Sequence, residues 1–187
     1  MTEMMLHPGQ VYRTDDLRTT NPARYARALV AQGKLRQLRR GLYVAPKMTR
    51  FGEAPPAGEE LLSKLLDSSD FVLTGPDRWN ALGLGTTAMF AEQLVYNRKR
   101  SGSFELAGQR FRLRRVAFPK RPSPEWFVVD LFENAASVGG SHDMLTAALV
   151  SSLREGRFDR KALKRAAQKY GTRPTRDAVF RAIALAG

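Results

Sequence analysis

The chain has 187 residues, no cysteine, 43% hydrophobic residues and a formal net charge of +13 at pH 7. Disulfides, thiolate nucleophiles and thiolate zinc sites are excluded, and the charge favours an anionic partner such as nucleic acid or an acidic protein surface. No apolar run approaches the ~20 residues that span a bilayer, and the first residues lack the basic-then-apolar order of a signal peptide. A folded cytoplasmic protein with no membrane partner is expected.

The charge comes in blocks. Residues 1–50 carry 10 Lys/Arg against 3 Asp/Glu, a net of +7, whereas residues 51–97 carry 2 against 7, a net of −5. Residues 98–121 then hold 9 basic groups and a single acid, Glu105. Blocks of this kind imply more than one basic surface.

At the amino-terminal end, Thr14 followed by Asp15 and Asp16 reads as a helix start, with a short helix to about Arg18. Asn21-Pro22 repeats the signal, a capping side chain followed by a proline whose missing N–H costs nothing at the first helical position. The second helix is expected to run to Gln32 and stop at Gly33. On it Ala26, Leu29 and Val30 share a core-facing stripe, while Arg24, Arg27, Ala28 and Ala31 fall on another face. Small residues between arginines suit a recognition helix, which must approach the major groove closely and reach guanine edges or phosphates.

The segment Lys34 to Val44 reads as two short strands joined around Arg39, Arg40 and Gly41. A hairpin tipped with arginines directly after such a helix has the order of a winged helix-turn-helix, with the wing touching phosphates or the minor groove. Arg24, Arg27, Ala28, Lys34, Arg36, Arg39 and Arg40 are the candidate DNA-binding residues.

Pro46 to Gly58, with Gly52, Pro55 and Pro56, reads as a linker between a DNA-binding domain at 1–50 and a second domain at 51–187. Beyond it come a helix at Pro56 to Leu66, a strand at Phe71 to Leu73, and a Gly75-Pro76 turn opening a helix through Trp79 to Leu82. Strands are expected at Glu92 to Asn97 and across Phe104 to Phe118, with Ala107-Gly108 as a hairpin turn. Arg110, Arg112 and Arg114 lie on one face of the last strand, and Phe111, Leu113 and Arg115 on the other. Helices follow at about Glu125 to Val138, His142 to Leu153, Asp159 to Tyr170 and Arg176 to Leu185. The fold class is α+β, a winged helix-turn-helix followed by a mixed α/β domain.

The head, ending in the strand from Arg40 to Val44, and the run from Leu73 through Thr-Gly-Pro, Trp79 and Leu-Gly-Leu to Thr87 resemble the antitoxins of the AbiE abortive-infection systems, a type IV toxin–antitoxin family. The resemblance implies an antitoxin and autoregulating repressor. Its winged head would bind double-stranded DNA at repeats in its own promoter, and its second domain would counteract a cognate nucleotidyltransferase-like toxin. It also implies a protein that is not an enzyme and needs no cofactor.

Two other readings remain open, a winged-helix regulator without a toxin partner and an enzyme acting on nucleic acid. Thr74, Asp77 and Arg78 form a possible functional corner where a loop opens a helix; Thr74 equally suits a plain helix cap. Asp130 and Glu133 lie one turn apart, a weak signal for acid–base chemistry. His7 and His142 have no partners at metal or nucleophile spacing, so no metal site is expected.

Overall fold

The computed structural model describes residues 4–187. The chain divides into two compact units, one of residues up to Ser69 together with Ser103–Arg110, the other of Asp70–Gly102 with Phe111–Gly187. The described residues make a mixed α/β fold of several helices and three sheets.

The first unit opens with β1 (Val11–Arg13), a single 3-10 turn at Thr14–Asp16, and α1 (Pro22–Ala31). The Thr14 segment is shorter than its sequence suggests. Asp16 turns its carboxylate back onto the Arg13 amide at 2.8 Å, which closes one turn and leaves nothing to propagate it. α1 begins as expected, with the Asn21 side chain accepting from the Arg24 amide at 3.1 Å and Pro22 in the first position. Ala26 and Leu29 are buried and Arg24, Arg27, Ala28 and Ala31 are exposed, the division its spacing predicts.

β2 (Arg36–Arg39) and β3 (Leu42–Val44) form the expected hairpin, turned at Arg40 and Gly41, where Gly41 adopts a φ of 78°. The unexpected strand is β1, which pairs antiparallel with β3 to give the sheet order β1-β3-β2. At three residues it is too short to show a period.

The stretch read as a linker carries structure. β4 (Lys47–Thr49) and β5 (Gly52–Ala54) pair as a hairpin, closed by the Thr49 hydroxyl donating to the Gly52 carbonyl at 2.8 Å. The glycine at 52 serves a turn here rather than a flexible spacer. α2 (Gly58–Leu66) then buries Leu61, Leu62, Leu65 and Leu66. Its Glu60 accepts from the Val11 amide at 2.6 Å, and its Lys64 reaches Asp16 at 2.7 Å. Residue 50 therefore falls inside the first unit, and the division comes after Ser69.

The second unit contains β6 (Phe71–Thr74), α3 (Pro76–Asn80), β7 (Gln93–Asn97) and most of a hairpin's second strand. That hairpin is β8 (Gly102–Leu106) and β9 (Gln109–Arg115), turned at Ala107 and Gly108 with φ of 50° and 76°. Its tip, Ser103–Arg110, belongs with the first unit, where Gln109 donates to the Pro56 carbonyl at 2.9 Å. The sheet order is β6-β7-β9-β8, with β6 and β7 antiparallel and β7 and β9 parallel.

Four helices complete the second unit: α4 (Pro124–Glu133), α5 (His142–Arg154), α6 (Arg160–Tyr170) and α7 (Arg173–Leu185). Ser123, Ser141 and Asp159 cap the first three through their side chains, as their residue types favour. Trp79, Leu94, Trp126, Leu131, Phe132, Leu149, Leu163 and Val179 are among the side chains that close one core. Among the described residues no helix is long and apolar enough to cross a membrane.

Candidate functional site

Each unit carries an arrangement with chemical content. In the first, α1 presents Arg24, Arg27 and Ala28 to solvent, and the adjoining hairpin presents Arg36, Arg39 and Arg40, with Lys34 exposed between helix and hairpin. Arg27 keeps only a long contact from Nε to the Ala23 carbonyl at 3.4 Å, so most of its guanidinium donors point outward. Arg39 sits 5.7 Å from the centre of the Phe104 ring, close enough for a cation–π contact that steadies the side chain without neutralising it. Arg36 is different. It pairs with Glu53 of β5 through Nη2 at 2.9 Å and Nε at 3.1 Å, so its charge is partly spent on holding the β4–β5 hairpin beside β2.

The surface is built on a fixed base. Tyr12, Leu17, Ala26, Leu29, Leu35, Tyr43 and Ala45 form the small core beneath α1 and the sheet. The Asp16 carboxyl, joined to Lys64 and the Arg13 amide, is held below its ordinary value: burial pushes it up, but these donors and the nearby Arg13 charge outweigh that. An ionised Asp16 therefore anchors the turn before α1 to α2.

In the second unit the functional corner read from Thr74, Asp77 and Arg78 does not come together as one site. Gly75 occupies the cap position of α3, and Thr74 is buried with its hydroxyl donating to Asp130. Asp77 and Arg78 are exposed, with Arg78 lying 5.9 Å from the Phe127 ring.

Asp130 is instead the centre of a buried network. It is 4% exposed and accepts from the Trp79 indole at 2.8 Å and from the Asn134 amide at 3.2 Å, besides Thr74. The Tyr96 hydroxyl also bonds to it, and accepts from Asn134 at 3.0 Å. Arg114 completes the set by donating to Asn134 Oδ1 at 2.8 Å. Burial pushes the Asp130 carboxyl above its ordinary value in spite of Thr74, Tyr96, Trp79 and the Arg114 charge, all of which favour the anion. Tyr96 is raised well above the ordinary phenol value by burial and by the neighbouring carboxylate.

Of these groups Tyr96, Arg114, Asp130 and Asn134 line a cleft of about 170 Å³ together with Val116, Trp126, Glu133 and Tyr170. Glu133 is not Asp130's partner: its Oε1 accepts from the Thr172 amide at 2.6 Å and hydroxyl at 2.9 Å, which fixes the start of α7. Because Asp130's lone pairs already face several donors, it is a poor general base and a good joint between β6, α3, β7 and α4. The sequence signal was an acid inside the apolar run Trp126 to Phe132, with Asn134 at i+4 beside it; the partners Thr74, Trp79 and Tyr96 come from distant positions and no spacing announces them.

Among the described residues no group of three or more His, Cys, Asp or Glu is placed to hold a metal ion. His142 opens α5 and its Nε2 lies 3.0 Å from the Phe132 carbonyl, a structural contact.

The fold has a solved counterpart. The chain is similar to the crystal structure of the RV2827C protein from Mycobacterium tuberculosis, with a TM-score of 0.52 and 16% identity over 95% of this chain and 75% of that one. A likeness at that identity carries the architecture alone. No protein-family model and no curated protein matches the chain.

Proposed function

We propose that the chain is a DNA-binding autoregulatory repressor and antitoxin, whose first unit reads promoter repeats as a winged helix-turn-helix. The observation that carries the DNA-binding reading is the order of exposed groups along the chain. Arg24, Arg27 and Ala28 on α1 are followed directly by a hairpin whose turn carries Arg39 and Arg40. In this reading α1 enters the major groove, where Ala28 permits close approach and the two arginines reach base edges. The β2–β3 hairpin is the wing, and Arg39 and Arg40 fix the register on the phosphate backbone.

The antitoxin part rests on the likeness of Leu73 to Thr87 to the AbiE antitoxins. In this reading the second unit counteracts a nucleotidyltransferase-like toxin and the chain itself performs no catalysis. The occupied lone pairs of Asp130 are in keeping with a binding or scaffolding role.

The test has two arms. Purified full-length protein is titrated against a duplex of its own upstream region at several salt concentrations, where binding that weakens steeply with salt is expected because several cations displace phosphate counterions. The product of the adjacent gene, or failing a nucleotidyltransferase-like one there, a toxin of the AbiE type, is then expressed with and without this chain. Growth rescue supports the antitoxin reading. Salt-sensitive operator binding without rescue leaves a winged-helix regulator with no toxin partner.

A further inference from the structure

We propose that the second unit carries its own binding surface for duplex DNA backbone, formed by Arg100, Arg115, Lys120 and Arg121 where β7 and β9 end side by side. The inference rests on the reading of the chain as a DNA-binding protein and adds to it a contact outside α1 and the wing.

The basic block at residues 98–121 does not act as one face in the folded chain. Arg112 is spent on Glu92 at 3.0 Å, Arg114 on Asn134 at 2.8 Å, and Arg98 on Asp70 at 2.8 Å. Arg100, Arg115, Lys120 and Arg121 are exposed. The backbone brings them to one place. β7 and β9 run parallel, with Asn97 opposite Arg115, so the turn after β7 and the exit from β9 emerge at the same end of the sheet.

That end is tied together by hydrogen bonds centred on one buried side chain. Asn97 is 1% exposed, and its side chain spans the turn, donating to the Arg100 carbonyl at 2.9 Å and accepting from the Lys99 and Arg100 amides at 2.8 Å each. The Ser101 hydroxyl accepts from the Arg115 amide at 2.9 Å, and the Asn97 carbonyl from the Val116 amide at 3.2 Å. Arg98 fastens the next loop, donating to the Phe118 carbonyl at 2.9 Å with its guanidinium 4.4 Å from the Phe118 ring. Lys120 and Arg121 follow two and three residues later.

A merely solvated basic surface has no need of a polar side chain buried to this extent to fix its turn. Cations carried on backbone that is tied in this way, on separate loops, suit a regular array of like charges, and duplex phosphates are one, at about 3.4 Å per strand step. An acidic protein surface is the poorer fit, since beside the small Ala117 the large hydrophobic exposed there is Val116 alone among the described residues, and stable protein interfaces centre on buried aromatic or aliphatic anchors.

The experiment uses the full chain. The quadruple variant R100Q/R115Q/K120Q/R121Q is compared with wild type and with R39A/R40A by fluorescence anisotropy. The probes are the upstream duplex, an unrelated duplex and a single-stranded RNA of equal length, each at four salt concentrations. Far-UV circular dichroism and a thermal melt establish that the variants are folded. The expected result is weaker binding of both duplexes with their ratio preserved, and a salt slope smaller by up to about 3.6, from ~0.9 per phosphate contact.

A folded quadruple variant with unchanged duplex affinity and slope overturns the proposal, as does a loss confined to the RNA. If R39A/R40A alone loses duplex binding, the wing stands and this surface falls. If the quadruple variant alone loses it, the surface stands and the wing reading fails. Wild type that binds no duplex at low salt overturns both.

Discussion

Asp130 lies 4% exposed beneath Trp79, whose indole N–H donates to its carboxylate at 2.8 Å. The pair joins α4 to α3 from the inside, and Thr74, Tyr96 and Asn134 crowd the same carboxyl. A carboxyl whose value in the folded chain is raised holds its proton to higher pH than the unfolded chain does. Its contribution to stability is therefore full below the ordinary value of 3.8 and is lost as pH rises through the raised one.

Replacing Asp130 by Asn removes that titration. The expected outcome is that the urea midpoint of wild type falls more than that of D130N as pH rises from 4 towards neutrality. The two curves are compared on the same protein preparation, and parallel curves would mean that the carboxyl is not raised.

Asp16 is the opposite case. Its depressed carboxyl contributes stability above its ordinary value, lost as pH falls through the lower one. D16N should abolish the difference between pH 5 and pH 2 in that increment. At pH 7 it should cost about 1 kcal/mol, combining a half-exposed ion pair with Lys64 and a capping bond to the Arg13 amide. Denaturation at both pH values measures it; an equal cost at each would assign the loss to packing instead of charge.

The elements set by local chemistry were legible in the sequence. Asn21-Pro22, Ser141 and Asp159 start helices at those places, and Ala107-Gly108 turns the hairpin. What depended on pairing across the chain was not. β1 exists because β3 offers an edge to it, and α2 belongs with the first unit because Val11 and Asp16 need Glu60 and Lys64. The same limit hid the Asp130 network: the acid was visible on its helix, but Thr74, 56 positions away, read equally well as a cap.

A chain cut after residue 50 tests that point. It lacks four buried leucines of α2, worth up to about 6 to 12 kcal/mol at 1.5 to 3 each, against a total stability of about 5 to 15 for a whole domain. It also leaves the Val11 amide without its Glu60 acceptor. Residues 1–50 alone are expected to show no cooperative melt by circular dichroism. A sharp melt from that fragment would mean that α2 is dispensable to the first unit.

The last prediction separates the two parts of the proposed DNA interface. Arg24 and Arg27 project from the exposed face of α1, with Ala28 beside them and Ala26 and Leu29 buried behind. If α1 lies in the major groove, a bidentate contact from either arginine distinguishes guanine from the other bases and is worth about 1 to 3 kcal/mol of discrimination. Arg39 and Arg40 sit at a hairpin turn, where contacts to phosphate carry no sequence information. R24A and R27A should therefore each lower affinity for the operator while leaving unrelated duplexes nearly unchanged, flattening the preference at one base position. R39A/R40A should lower both by the same factor and reduce the salt slope by up to about 1.8. Titration of each variant against a set of operators carrying single base-pair changes checks both expectations together. Full operator preference in both helix variants would remove α1 from the groove, and a base-specific loss in R39A/R40A would place the hairpin there in its stead.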